Sequence, residues 1–86
     1  MKARAIFAWN LRKLRHERGI SQERLAYDAG VDRAYVSEIE RERGNATLDL
    51  LDRLASVLDV PVGAFLVQPK RGEKRPLPLR GGRKAT

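Results

Sequence analysis

SQERLAYDAGVDRAYVSEIE, from Ser21 to Glu40, reads as two short helices set at an angle by a tight turn. Ser21 offers a hydroxyl to cap the first of them, and Glu23 stands in the first turn, where the positive end of the macrodipole favours an acid. Leu25, Ala26 and Ala29 recur at helical spacing on one face, and Gly30 supplies the positive-φ residue that ends the helix after about two to three turns. Val31 fills the gap between the helices. Asp32 is a second N-cap candidate, and Val36 and Ile39 resume the inward-facing pattern up to Glu40 and Arg41.

Two brief amphipathic helices joined by a turn containing Gly form the helix-turn-helix pattern, whose second helix lies in the major groove of DNA. Residues 7–66 carry it within FAWNLRKLRHERG, ISQERLAYDAG, VDRAYVSEIER and TLDLLDRLASVLDV. These segments resemble the Cro/repressor-type helix-turn-helix domains of the xenobiotic response element family, without an obvious insertion. Within that family LAYDAGVDRAYVSEIER, with its Asp-Arg-x-Tyr-x-Ser run, is most similar to the small controller proteins of restriction-modification systems. The resemblance implies an all-α fold, a compact bundle of five short helices of the lambda-repressor-like type, and duplex DNA as the partner. It also implies that Arg15 pairs with Glu40, tying helix 1 to helix 3. If partly buried, such a pair would fix registry more than it stabilises, and losing one partner would cost about 3 kcal/mol or more.

Working outward, residues 4–18 form the first helix, with Phe7, Leu11 and Leu14 as its buried stripe and Gly19 as its stop. Ile20 packs under the turn before helix 2. Trp9 lies off the stripe, either as a partly exposed patch or against a later segment. After helix 3 comes the polar turn RERGNA, and Thr47 then caps a fourth helix whose apolar stripe is Leu48, Leu51, Leu54, Ala55 and Leu58. The family more often has Gly where this chain has Glu42, and Pro where it has Ala46. Pro61 ends the fourth helix, and Val62 to Leu66 add a short fifth.

With 86 residues the chain holds one small domain whose core is marginal, so a second copy would add burial. Cysteine is absent, which excludes disulfides and thiolate metal sites. Nothing approaches a membrane span, and MKARAIFAWNLRK lacks the apolar core of a signal peptide. A cytoplasmic, nucleoid-associated protein is expected. The net charge of +7 is unevenly placed: residues 1–68 hold 11 Lys/Arg against 10 Asp/Glu, and residues 69–86 hold 7 against 1. Residues 1–68 are therefore read as the DNA-binding domain, with the helix-turn-helix at 21–41, and 69–86 as a basic Pro/Gly-containing tail too poor in apolar residues to order itself. Because the domain is nearly neutral, any DNA affinity must come from placing arginines on one face and acids on another.

Arg33, first after the helix 3 cap, is placed to form a bidentate pair with guanine, or else to meet a phosphate or solvent. Ala34 can meet a thymine methyl or merely let the helix approach. Ser37 and Glu38 share that outward face, opposite Val36 and Ile39. Glu38 can accept from cytosine N4 and reject wrong sequences, or be a solvated charge. Tyr35 offers a hydroxyl to a phosphate and a ring to the turn. By family resemblance Gln22, at the start of helix 2, binds a phosphate, and Arg43, Asn45 and Thr47 are further phosphate candidates. Lys13 and Arg18 are read as helix-face charges and His16 as a surface residue. Val60, Val62, Phe65 and Leu66 follow the minimal fold, so they either build a two-fold interface or cap their own core. A dimer would set two recognition helices about 34 Å apart, matching a palindromic operator. No enzyme, metal, cofactor or small-molecule pattern is present. The competing readings are a protein-interaction adaptor on the same fold and non-specific nucleic-acid binding led by the tail.

Overall fold

The computed structural model describes residues 2–70 and 72. The expectation for the tail therefore lies almost wholly outside the described residues. In chain order these form α1 (Ala3–Glu17), α2 (Gln22–Ala29), α3 (Arg33–Glu40), α4 (Leu48–Leu58) and a closing 3-10 helix (Val62–Leu66). The fold is all-α as expected, except that the fifth helix is of the tighter kind and the first begins and ends one residue early.

Local chemistry explains the boundaries. Ser21 Oγ accepts from the Arg24 N–H at 3.0 Å, and Thr47 Oγ1 accepts from the Leu50 N–H at 3.0 Å. Both caps satisfy a first-turn donor that has no partner within its own helix. Asp32 holds the N-cap position of α3, but its side chain makes no cap hydrogen bond.

All four α-helices end in the same way. A residue at positive φ turns the chain, and its own N–H and the next one reach back to the open carbonyls. After α1, Gly19 donates to His16 O at 2.9 Å and Ile20 to Arg15 O at 3.3 Å. After α2, Gly30 and Val31 donate to Tyr27 O and Ala26 O. After α3, Glu42 and Arg43 donate to Ile39 O and Glu38 O, each at 2.9 Å, and after α4, Asp59 and Val60 donate to Ser56 O and Ala55 O. The turning residue is glycine in the first two closures. In the last two it is Glu42 (φ 66°) and Asp59 (φ 56°), side chains that pay a steric cost in this conformation.

The core gathers Phe7 and Leu11 of α1, Leu25, Ala26 and Ala29 of α2, Val36 and Ile39 of α3, and Leu50, Leu51, Leu54, Ala55 and Leu58 of α4. Leu14 and Ile20 pack against it, partly buried. One member of the expected α4 stripe is misplaced. Leu48 is 78 % exposed, whereas Leu50 is buried. Leu48 opens the helix on the flank of the buried arc, where nothing covers it, and Leu50 lies on the flank that is covered.

Phe65 completes the core. It is fully buried and meets Phe7 edge-on, with ring centroids 5.3 Å apart and an interplanar angle of 66°. Its assignment to a subunit interface is therefore corrected: the side chain is spent inside its own monomer. Asn10 holds the segment in place, donating through Nδ2 to Phe65 O at 3.0 Å and Val67 O at 2.8 Å. His16 is corrected as well. It is partly buried and its Nε2 is enclosed without a hydrogen-bond partner, as is Trp9 Nε1 on the same helix.

Candidate nucleic-acid interface

The helix-turn-helix is fixed from below by one carboxylate. Glu40, buried at the end of α3, accepts a two-pronged hydrogen bond from Arg15 of α1, with Nε to Oε2 at 2.7 Å and Nη2 to Oε1 at 2.9 Å. Arg15 Nη1 also donates to Ile20 O at 3.0 Å, which ties in the segment leading to α2. Gln22 of α2 donates to Glu40 Oε1 at 3.0 Å. Arg12, which sequence reading did not single out, donates to the Glu40 backbone oxygen at 2.8 Å and holds its Nε 3.7 Å from Oε1. Three helices therefore converge on one acid. Burial alone would raise the Glu40 pKa, but hydrogen bonds from Arg15 and Gln22 and the charges of Arg15 and Arg12 bring it below its ordinary value. His16 lies in the same field: burial and the Arg15 charge lower its pKa against the pull of Glu40, and Arg12 lowers it further.

On the opposite face of α3, Arg33 and Ala34 are exposed and Ser37 and Glu38 half-exposed, above buried Val36 and Ile39. The four predicted reading residues do share one surface. Arg41 Nη1 stands 3.8 Å from Glu38 Oε2, so the one acid of this surface has a counter-charge on its own helix end.

The turn after α3 is packed and tethered. The Tyr35 hydroxyl donates to Asn45 O at 2.5 Å, which corrects its expected role: its one proton is spent on the turn and is not offered to a phosphate. A methyl group at Gly44 would stand 3.1 Å from Ile39 Cγ1, so the turn backs directly onto α3. From α1, Arg4 Nε donates to Gly44 O at 3.2 Å and its Nη2 to Asn45 Oδ1. Arg43, Asn45 and Thr47 are all exposed along this turn. Gln22 is half-buried with one amide N–H committed to Glu40, which leaves the other as its donor to any phosphate. Arg18, read as a solvated charge, donates to Asp59 O at 3.3 Å at the end of α4.

The chain's residues 11–65 match the family model described as Helix-turn-helix. This chain belongs to the xenobiotic response element family of helix-turn-helix transcription regulators. The chain is 42% identical over 67 residues to a hypothetical transcription factor of Neisseria meningitidis serogroup B, covering 78% of this chain and 63% of that one. It is 37% identical over 68 residues to the control protein C.SmaI of Serratia marcescens, covering 79% and 81% of the two chains. Its fold superposes with a TM-score of 0.69 on C.Esp1396I bound to a 19 base pair DNA duplex, at 34% identity, covering 76% of this chain and 87% of that one.

A shallow cleft of about 360 Å³ between α2 and α4 is lined by Asp28, Asp52 and Arg53, with Ala29, Ser56 and Val57. Its lining is of mixed charge, and Asp28 is itself ion-paired with Arg24, Nε to Oδ2 at 2.9 Å. Among the described residues no group of three or more His, Cys, Asp or Glu could hold a metal ion, and no helix is long and apolar enough to cross a membrane.

Proposed function

We propose that the chain regulates transcription by binding a palindromic duplex operator as a homodimer, with α3 in the major groove. Arg33, Ala34, Ser37 and Glu38 would read base edges, and Gln22, Arg43, Asn45 and Thr47 would set register on phosphates, with Tyr35 holding the turn that carries Asn45. The observation that carries this reading is the division of α3. Val36, Ile39 and Glu40 are consumed by the fold, while the outward face bears donors and acceptors with no packing duty. The duplex held by C.Esp1396I supports the same use of the shared fold. For the dimer, Val60 and Val62 are half-buried and Leu66 is 52 % exposed; adjacent Val67, at 59 %, extends the apolar strip that a second copy would cover.

Selection from random duplex DNA by the full chain at near-physiological salt tests the proposal. Enrichment of a palindrome with half-sites about one helical turn apart is the expected result. Capture of all duplexes without a shared motif would move the function to the basic tail, and no capture would favour a protein partner.

A further inference from the structure

We infer that Arg4 is an additional phosphate-binding residue, extending the DNA-backbone surface from the turn after α3 onto α1; this rests on the operator-binding reading. Arg4 is the second residue of α1, about 40 residues before the segment it holds. Its guanidinium spends two N–H groups on the turn, through Nε to Gly44 O and Nη2 to Asn45 Oδ1. Both acceptors are neutral, and the first turn of α1 contains no acid. Arg4 has no carboxylate partner among the described residues, unlike Arg12, Arg15, Arg24 and Arg41. An exposed arginine thus keeps its full charge and three further N–H donors beside Asn45. The turn is itself pinned to α3 by the Tyr35 hydroxyl, so Arg4 is held in fixed relation to the helix that would enter the groove. A planar fork anchored on one edge and open on the other suits the oxygens of a phosphodiester.

The test uses the full chain and three variants, Arg4→Ala, Arg4→Lys and Asn45→Ala, titrated with the selected duplex and with an unrelated duplex over a series of salt concentrations. For Arg4→Ala we expect equal weakening on both duplexes, a log–log salt slope shallower by about 0.9 per bound protomer, and an unchanged thermal midpoint. Arg4→Lys retains the charge and should keep the slope, as should Asn45→Ala, which removes one of the two tethers and a neutral phosphate contact but no charge. A wild-type slope in Arg4→Ala would overturn the inference while leaving operator binding intact. So would a slope lost equally in Asn45→Ala, since Arg4 would then act only by holding the turn. A wild-type chain that bound no duplex would overturn the inference together with the reading beneath it.

Discussion

At the scale of single residues, Glu40 has the most to lose. Removing Arg15 would leave its carboxylate buried with the longer Arg12 contact and one amide, so Arg15→Ala should cost about 3–5 kcal/mol in chemical denaturation. The same acid shapes the pH dependence. A carboxyl whose pKa is lowered by folding stabilises fully above its ordinary value of 4.5, and the contribution is lost as pH falls through the lowered value. His16, lowered from 6.5, acts in the same direction at higher pH, because the unfolded chain takes up its proton first. Stability should therefore climb from acid to neutral, and Glu40→Gln should flatten the limb below 4.5; an unchanged slope there would remove Glu40 from this role. Glu42 predicts the opposite of damage. Glycine in its place would relieve roughly 1–2 kcal/mol of left-handed strain against about 0.5–1 kcal/mol of added chain entropy. A higher urea midpoint for Glu42→Gly is expected, and a lower one would mean that the side chain's own contacts outweigh the strain. Arg33→Ala should relax selection at one position per half-site, whereas equal weakening on every duplex would make Arg33 a phosphate contact.

At the scale of elements, the caps differ in what they contribute. Ser21→Ala and Thr47→Ala each remove a made hydrogen bond and should cost about 1 kcal/mol. Asp32→Ala removes no cap bond and should cost only the few tenths of a favourable charge at a helix start. Equal losses at all three positions in thermal melts would contradict this distinction. The same contrast separates what could be read from sequence. α2 and α3 were legible because their signals are local: Ser21, Gly30 and the apolar spacing act within a few residues of where they stand. Leu48 and Leu50 were not, since periodicity marks the middle of a buried arc and leaves its flanks to be decided by distant neighbours. Arg12 and Asn10 escaped for that reason too, as their acceptors lie 28 and 55–57 residues away. The outward face of α3 was legible residue by residue, but the tethering of its following turn by Arg4 was not, because nothing in the order of residues brings α1 to Gly44.

At the scale of the whole molecule, the C-terminal segment serves two ends within a few residues. Phe65 closes the monomer, whereas Leu66 and Val67 face outward. Phe65→Ala should cost about 3–5 kcal/mol and threaten folding itself. Leu66→Asp should leave stability within about 0.5 kcal/mol yet shift sedimentation equilibrium toward monomer; an unmoved equilibrium would place the interface elsewhere.

The buried fork between Arg15 and Glu40 also constrains how this chain can change over generations. Neither partner can be replaced first without stranding a charge in the interior, so the pair tends to be inherited as a unit or lost in a single double step. Arg33, Ala34, Ser37 and Glu38 carry no such debt to one another. On the proposed operator-binding reading, descendants of this sequence could drift in which operator they choose while the frame that presents the choice stays fixed.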